Sequence, residues 1–593
     1  MQGLQTYFRS FLLWRTKSID QKRFVLFLSV LVGISAGIGA VIIKNSAHFI
    51  ENWVEGRLFH EYHNVLYFLF PFLGLLITVL IIKYVIKKDI GHGIPNALYA
   101  ISRKKSEISA GQMWYSVITS AITVGFGGST GLEGPTVATG AAVGSNIGKF
   151  FRMNYKVRTL LIGCAAASSM AAIFQAPVAA IVFVLEVFMF DLTMYSIIPL
   201  LISSITAVIT SRYFLGEIIL FPTKITDALN PSHIIFYIIL GVLTGLFSLY
   251  FNEVYFGVKK IFGEIKNPFH KAIYGGIGLG LLIFILPPLY GEGYETINQL
   301  INDNTTNLMN RSMFYGYGDN FYVLILFVLA FAFFKILATA FTFSGGGIGG
   351  VFAPSLFMGA AIGFVMAKVV VHFGIADLPV THFALVGMAG LIAGVLHAPL
   401  MAMFLIAEIT GGYELFVPLM LTVAVSYSTS RIFNQHTVYT KNLAEKGDLL
   451  TRHKDRNILL RMNVSNFLET NFEELSPDWT FGTLVKDIVT NSTRNIFPVT
   501  NEKHELLGIV LLDNIRDQLF NEEKHHAEKV IDFMTVPVAT IEAGENMEKV
   551  MDKFEATESW VLPVVKNGVY QGFVSKTKLF TAYRKILLEI TEE

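Results

Sequence analysis

Two glycine-rich segments of the sequence match each other at a fixed spacing. The first, GSTGLEGPTVATGAAVG, spans residues 128–144, and the second, GGIGGVFAPSLFMGAAIG, spans residues 346–363. Pro135 and Pro354 lie 219 positions apart (354 − 135), and the glycines that end the two segments keep the same offset. The segments therefore belong to related halves of one chain, each of which breaks an apolar stretch with glycines.

A second matched pair follows the first in each half. It consists of QAPVAAIVFVLEV at 175–187 and HAPLMAMFLIAEI at 397–409, with prolines 222 positions apart (399 − 177). The second-last residue of each copy is a glutamate, Glu186 in the first and Glu408 in the second. Related halves with Gly-rich breaks inside apolar segments are how many transporters build a site near the bilayer midplane. The repeat therefore predicts a pathway for an ion or a solute.

The composition indicates a membrane protein. Of 593 residues, 53% are hydrophobic and 15% are charged, and the mean hydropathy is +0.53. The apolar part runs from about residue 24 to 433, and its first stretches, 24–43 and 66–86, reach the roughly 20 residues that span a bilayer as a helix. Later stretches such as 351–358 are short and bordered by Gly or Pro, which is tolerated at membrane depth only around a buried or wet centre. We therefore expect a bundle of tilted, partly re-entrant helices.

The ends of the chain differ from this apolar part. Residues 1–23 read as an amphipathic helix at the membrane surface, and the basic residues there and at 103–105 place the N-terminus in the cytoplasm. A charged linker at 441–461 precedes 462–593, which has the composition of a soluble domain. The net charge of +1 gives no field that would attract nucleic acid.

The C-terminal part contains a repeat of its own, with RNIFPVTNEKHELLGIVLLDNI at 494–515 matching SWVLPVVKNGVYQGFVSKTKL at 559–579. Each copy reads as a strand, a turn, a second strand and a helix, and Asn567-Gly568 is a strong hairpin signal. We expect two small α/β units, about 462–525 and 526–593, that pack together with pseudo-two-fold symmetry.

Glu133 is the most informative single residue. It lies in the first Gly-rich break just before Pro135, and a proline there suits the first turn of a helix. A carboxylate inside a membrane segment is costly and functional by default. The start of that helix would stabilise the carboxylate and would also bind a small anion. Glu133 and a mobile anion would then compete for one site, although a buried structural glutamate bonded to backbone is the alternative.

These motifs resemble the CLC family of chloride channels and chloride/proton exchangers over residues 20–440. The resemblance rests on Gly91-His92-Gly93-Ile94-Pro95, Gly131-Leu132-Glu133-Gly134-Pro135, Gly350-Val351-Phe352-Ala353-Pro354 and Tyr439. It implies an all-α polytopic membrane bundle over 24–440 with an internal inverted repeat, whose halves are roughly 24–220 and 230–440. It also implies a homodimer in the lipid bilayer with one pore per subunit for chloride or another small anion.

The resemblance also implies roles for individual residues. Glu133 would be the gating glutamate, and the anion would be held by a group of six residues. These residues are His92, Gly93, Ile94, Val351, Phe352 and Tyr439. His92 departs from the family pattern, which usually has a serine there, so it predicts either altered selectivity and pH dependence or an imidazole that turns away from the ion.

Val187 is the second departure from the family pattern. It follows Glu186 at the place where family exchangers commonly carry a second glutamate that passes protons to the cytoplasm. Because valine cannot carry a proton, we expect a passive channel gated by Glu133. An anion/proton exchanger that uses water or His92 instead is the alternative. Glu186 and Glu408 are expected to be structural and to bond backbone at broken helices.

The C-terminal pair resembles tandem CBS domains on the cytoplasmic side, some of which bind adenine nucleotides. Asp513 occupies the place of the ribose-binding Asp in the first copy, while the second copy has Lys578 there and keeps Ser575. Nucleotide binding and a purely structural role both remain open. No other cofactor and no metal site is expected, since the histidines show no zinc-ligand spacing.

Two other classes of protein are less favoured by the sequence. An intramembrane hydrolase would use Ser129 in Gly127-Gly128-Ser129-Thr130-Gly131, but no strand precedes this motif, so we expect no enzyme. A CBS-regulated cation transporter would use acidic rings that the pathway lacks.

Overall fold

The computed structural model describes most of the chain. The described residues are 14–15, 17–58, 63–88, 90–91, 93–190, 193–217, 219–222, 230–305, 308–309, 312–314, 320–446, 459 and 462–591. The chain divides into two compact units, Met1–Leu449 and Leu450–Glu593. His92 and most of the expected N-terminal helix and linker lie outside the described residues.

The described part of the first unit is helical. In chain order its helices are α1 Gln21–Leu58, α2 His63–Leu80, α3 Ile94–Arg103, α4 Gln112–Gly125, α5 Glu133–Phe150, α6 Tyr155–Phe174, α7 Pro177–Val187, α8 Met194–Leu215, α9 Ile234–Gly263, α10 Pro268–Ile285, α11 Tyr294–Ile301, α12 Phe321–Ser344, α13 Phe352–His372, α14 Val380–Leu396, α15 Pro399–Thr410, α16 Phe416–Phe433 and α17 Lys441–Glu445. A π-helical turn, Ile81–Ile86, extends α2. Among the described residues, nine helices are long and apolar enough to cross a membrane.

The sixteen helices from α1 to α16 form two series of eight in the same order. The matched Gly-rich segments begin α5 and α13, and the second matched pair forms α7 and α15. The polytopic helical bundle that the sequence predicts is thus confirmed. The stretch at 351–358 was expected to be short, which is wrong, because its helix α13 continues to His372. The residues beyond 358 stay apolar and helix-compatible, so nothing ends the helix there.

The helix boundaries follow local chemistry. Asn154 begins α6 by accepting a hydrogen bond from the N–H of Val157 at 2.9 Å, and Asn320 caps α12 in the same way. Between α6 and α7 the chain breaks at Gln175, which adopts a left-handed conformation with φ of 54°. Pro177 then takes the first position of α7, where its missing N–H needs no partner.

Glycines matched by the repeat let neighbouring helices approach closely. A Cβ on Gly144 of α5 would lie 2.3 Å from the carbonyl oxygen of Leu161 on α6. A Cβ on Gly363 of α13 would lie 1.9 Å from the carbonyl oxygen of Phe383 on α14. Small residues at such contacts are the usual means by which membrane helices pack. The corresponding pairs of helices, α5 with α6 and α13 with α14, are therefore packed in the same way in the two halves.

Glu186 and Glu408 link the two halves by capping each other's helices. The Glu186 carboxylate accepts hydrogen bonds from the N–H groups of Leu400 and Met401 at 3.0 and 2.9 Å. The Glu408 carboxylate accepts from those of Val178 and Ala179 at 3.1 and 2.8 Å. The first N–H groups of a helix have no partner within it, and a carboxylate there is favoured by the helix dipole. The antiparallel helices α7 and α15 are thus joined at both ends.

The second unit contains two similar α/β parts. Its α-helices and strands are α18 Phe481–Thr483, β1 Ile496–Thr500, β2 Leu506–Leu511, α19 Leu512–Ile515, α20 Glu522–Ala527, α21 Val530–Phe533, β3 Ile541–Glu542, α22 Met547–Thr557, β4 Val561–Lys566, β5 Val569–Ser575 and α23 Lys576–Thr591. Strands β1 and β2 form an antiparallel hairpin, and β4 pairs antiparallel with β5 and parallel with β3. Asn567 and Gly568 have φ of 53° and 84° in the second hairpin turn, as expected from its sequence.

The two hairpins of the second unit pack edge to edge. The N–H of Tyr570 donates to the carbonyl of His504 at 2.8 Å, and that of Leu506 donates to Gly568 at 3.1 Å. Each part has its own apolar core, around Phe481 in the first and Phe554 in the second. The small C-terminal α/β region that the sequence predicts is therefore present.

Replacing Glu186 or Glu408 by Ala is expected to destabilise the folded protein by about 1–2 kcal/mol each, the usual cost of losing a helix N-cap. The two caps lie at opposite ends of an 11-residue helix, so the double variant should show an additive loss. Thermal unfolding in detergent measures both effects, with the exposed Glu414→Ala as the control. Equal stability of the single variants and the control would contradict the capping role.

Candidate functional site

Two helices begin face to face near the centre of the first unit. Helix α5 starts at Glu133 and helix α13 at Phe352. The segments leading into them form a short antiparallel bridge, in which the N–H of Gly131 donates to Gly350 at 3.0 Å and the N–H of Gly350 donates to Gly131 at 2.7 Å. The first turn of each helix has N–H groups without intrahelical partners. The bridge therefore brings two positive helix ends to one place.

The Glu133 carboxylate lies at this meeting point. Its side chain is 1% exposed, and Oε1 accepts a hydrogen bond from the hydroxyl of Tyr294 at 2.6 Å. Oε2 makes no hydrogen bond within the part of the chain that the structure describes. The backbone N–H of Ala353 is close enough to act on the carboxylate's charge. One carboxylate oxygen is thus anchored, while the other is buried and open to a new partner.

Tyr439 and the start of α3 complete the surroundings of Glu133. The Tyr439 hydroxyl is buried, makes no hydrogen bond among the described residues, and interacts electrostatically with Glu133. Helix α3 begins at Ile94, and Gly93 before it has φ of 55°. A Cβ on Gly93 would lie 3.0 Å from the carbonyl oxygen of Gly134, so a larger residue would push the loop away. The Tyr439 hydroxyl and the N–H groups of the first helical turns, which have no partner within their own helices, are donors of the kind that a small anion needs.

Phe352 begins α13 and Val351 immediately precedes it, and both are fully or almost fully buried. The Phe352 ring packs against the rings of Phe174 and Phe183, each with 6.0 Å between centroids. The position of Phe352 in the repeat predicts that it lies along the pathway, and this stays a prediction. Its ring forms an aromatic contact between the halves.

Val187 and Ser129 show what the site lacks in the described residues. Val187 ends α7, is 5% exposed, and brings no titratable group to that position. The buried Ser129 hydroxyl has no hydrogen bond in the described part of the chain. It therefore has no histidine base in contact there, and the hydrolase alternative gains no support.

Sequence reasoning missed Glu292 and Tyr294, which contact the Glu133 turn directly. Glu292 Oε1 accepts a hydrogen bond from the N–H of Leu132 at 3.0 Å, and Tyr294 bonds to Glu133 itself. The signal was present in the sequence, because Gly291-Glu292-Gly293-Tyr294 matches Gly91-His92-Gly93-Ile94 at an offset of 200 (291 − 91). Helices α3 and α11 follow these two loops, so the loops are counterparts in the two halves.

Lys335 holds the loop that carries Glu292. This fully buried lysine of α12 donates from Nζ to the carbonyls of Leu289 and Gly291 at 3.3 and 3.0 Å. Its ammonium group also lies 4.7 Å from the centre of the Phe357 ring, a favourable position for a cation. A buried lysine inside a membrane helix marks a functional region by default. Its contacts here are with backbone carbonyls, which fix the loop's path.

In the second unit, the two nucleotide candidates contact different partners. Asp513 is exposed and pairs with Arg516. The Ser575 hydroxyl donates to Glu469 Oε1 at 2.8 Å, and Arg494 donates to Glu469 Oε2 at 2.9 Å. Burial acts to raise the pKa of Glu469, but these hydrogen bonds and the nearby positive charges lower that pKa overall. Glu469 is therefore ionised, and its carboxylate already accepts the hydrogen bond of the Ser575 hydroxyl.

Comparisons with known proteins identify the class of this molecule. A family model described as "Voltage gated chloride channel" matches residues 73–431, more than half of the chain, and a CBS domain model matches residues 530–585. The fold and the site define a multi-pass membrane protein of anion transport. The chain belongs to the voltage-gated chloride channel family, the CLC family named above.

Similar proteins include both modes of transport. The H(+)/Cl(−) exchange transporter ClcA of Vibrio cholerae is 29% identical over 440 residues, covering 71% of this chain and 89% of that protein. A candidate chloride channel protein of Ralstonia nicotianae, named ClcB-like, is 28% identical over 440 residues, covering 72% and 97%. The structure of a slow cyanobacterial Cl−/H+ antiporter matches with a TM-score of 0.62 at 22% identity, covering 72% and 99%. This last likeness shows the shared fold.

Tyr294→Phe is expected to raise anion flux at neutral pH by about tenfold. A hydrogen bond to a charged group contributes about 1.5–3 kcal/mol, and its loss would let the Glu133 carboxylate leave its anchored position more often. Flux from proteoliposomes under a salt gradient gives the measurement, with the exposed Tyr322→Phe as the control. If Tyr294→Phe and Tyr322→Phe both match the parent protein, the hydroxyl does not restrain Glu133.

Proposed function

We propose that this protein exchanges a small anion, chloride first, for protons across the membrane. The proposal is carried by one observation: the buried Glu133 carboxylate lies between two facing helix starts with Oε2 unbonded among the described residues. The same N–H groups that stabilise a carboxylate also bind an anion. The similarity to exchangers named above supports this reading over the passive channel expected from the sequence.

In the proposed cycle, Glu133 and the anion take turns at the helix starts. With Glu133 ionised, its carboxylate fills the place and blocks the anion. With Glu133 protonated, the side chain loses its electrostatic attraction to the N–H groups of α5 and α13, and an anion replaces it. The Tyr439 hydroxyl and the N–H groups of Val351 and Phe352 would donate to that anion, together with the loop at Gly93 and Ile94. Each replacement of the Glu133 carboxylate by an anion therefore requires one proton on Glu133.

Passive conduction is the second candidate, and Val187 is the observation that favours it. An exchanger needs a route for protons between Glu133 and the cytoplasm, and a buried valine provides no titratable group for it. The proposed exchange therefore requires water, or His92, in place of a second carboxylate. We further propose a homodimer with one pathway per subunit and both termini in the cytoplasm. The basic residues near Arg15 and at 103–105 support that orientation.

Reconstituted protein under a chloride gradient should move protons uphill at a fixed ratio to chloride. Glu133→Gln should retain anion flux but lose at least nine-tenths of the coupled proton movement, because an amide cannot carry a proton. A chloride electrode and a pH-sensitive dye measure both fluxes, and Glu264→Gln, at an exposed position, is the control. Chloride flux without uphill proton movement in the parent protein would replace exchange by passive conduction.

For the second unit, we propose that adenine nucleotide binds weakly because the Ser575 hydroxyl already donates its hydrogen bond to Glu469. Glu469→Ala should then tighten ATP binding several-fold, since the negatively charged phosphate no longer has to displace a carboxylate. Asp513→Ala should weaken binding if this residue holds the ribose. Isothermal titration of the full-length protein in detergent measures both changes. Absence of ATP binding in the parent and in Glu469→Ala would leave the CBS region a structural role.

A further inference from the structure

A polar cavity of about 530 Å³ opens beside the loop that carries Glu292. Its wall includes His48 and Glu51 near the end of α1, and Glu292, Tyr294 and Glu295 at the start of α11. Glu133 is not part of this wall, since it lies behind Glu292 and Tyr294 and is 1% exposed. A proton that enters the cavity therefore meets Glu292 and Tyr294 before Glu133.

Both residues reach from the cavity wall to the Glu133 turn. Glu292 is partly exposed, and its Oε1 is bonded to the N–H of Leu132, the residue immediately before Glu133. The Tyr294 hydroxyl is bonded to Glu133 Oε1 at 2.6 Å. Two titratable side chains thus connect the cavity with the buried carboxylate. Of these two, Glu292 is the stronger acid and therefore the one that releases a proton to water in the cavity.

We propose that Glu292 carries protons between this cavity and Glu133, which rests on the exchange proposed above. The proton leaves the Glu133 carboxyl group and passes to the Glu292 carboxylate, directly or through one water. Glu292 then releases the proton to water in the cavity and returns to its ionised form. The reverse sequence loads Glu133 from the cavity. Tyr294 acts as a positioning residue that keeps Glu133 facing this route.

The charges around Glu292 suit such a transfer. Glu133 and Glu51 oppose its ionised form, whereas Lys44 of α1 and Lys335 of α12 favour it. His48 and Glu295 lie further along the cavity wall. When Glu133 carries a proton, one negative neighbour of Glu292 is gone, so Glu292 is more readily ionised and able to accept that proton. When Glu133 is ionised, the same interaction favours a proton on Glu292.

A purely structural role for Glu292 would require its length and its hydrogen-bond acceptor, whereas proton transfer requires its titratable carboxyl group. The hydrogen bond from Leu132 uses one oxygen, and the amide oxygen of a glutamine can also accept that bond, although more weakly. The path of the loop itself is fixed by Lys335 through backbone carbonyls, without the Glu292 carboxylate. Glu292→Gln therefore keeps the structure and removes the proton, while Glu292→Asp keeps the proton and shortens the side chain.

The experiment compares these two variants with Glu295→Gln, which changes an exposed carboxylate on the same cavity wall that accepts a hydrogen bond from Gln299 of its own helix. Proteoliposomes report chloride and proton flux from the same sample, at cavity-side pH from about 5 to 8, and thermal unfolding in detergent reports folding. We expect Glu292→Gln to lose at least nine-tenths of proton flux and most of the pH dependence, with chloride flux within about threefold of the parent. Glu292→Asp should retain a measurable part of proton flux, and Glu295→Gln should match the parent.

Normal coupling and pH dependence in Glu292→Gln would overturn the inference. A loss in Glu292→Asp with normal behaviour of Glu292→Gln would also overturn it, in favour of a structural role. If the parent protein moves chloride without protons, the exchange proposal fails by itself. The pH dependence of chloride flux then decides the inference. Glu292→Gln should still flatten that dependence if Glu292 supplies protons to Glu133. An unchanged pH profile in Glu292→Gln would refute the inference.

Discussion

The pair of hydrogen bonds between Gly131 and Gly350 is the contact on which the rest of the site depends. A membrane interior offers no water to an interrupted backbone, and each unsatisfied peptide group there costs several kcal/mol. At this bridge each half satisfies the peptide groups of the other. A Cβ on Gly134 would lie 3.0 Å from the backbone of Gly350, so the approach requires glycine. The facing helix starts, and hence the place for a carboxylate or an anion, exist only because the two halves meet here.

The same reciprocity recurs away from the site. Glu186 of the first half caps a helix of the second, and Glu408 returns the contact. Both are carboxylates in apolar helices, which by rule suggests function. Each of these carboxylates accepts two hydrogen bonds from helix N–H groups, which gives it a structural role instead. A buried charge is therefore informative only after its partners are known: Glu186 and Glu408 have both oxygens bonded, while Glu133 has one left unbonded among the described residues.

The sequence predicted Glu133 and the repeat because glycine, proline and glutamate recur there at a constant offset. It did not predict Glu292 and Tyr294, although they follow a matching Gly-x-Gly pattern. The offset falls from 219 to 200 between these segments, and the paired residues differ in chemistry, as His92 and Glu292 do. Their contacts with Leu132 and Glu133 join positions about 160 residues apart. Such contacts follow from how the halves face each other, which spacing along one chain does not encode.

The two Gly-x-Gly loops explain how a symmetric frame can support a directional process. Both loops touch the turn from Leu132 to Gly134, one through Gly93 and the other through Glu292 and Tyr294. The first loop leads into α3, where the Gly93 N–H already donates to Gly91 at 3.0 Å and the backbone N–H of Ile94 suits an anion. The second loop brings a carboxylate and a hydroxyl, which suit a proton. If Glu292 acts as proposed, the fold supplies two equivalent approaches to Glu133, and the side chains alone decide that one serves the anion and the other the proton.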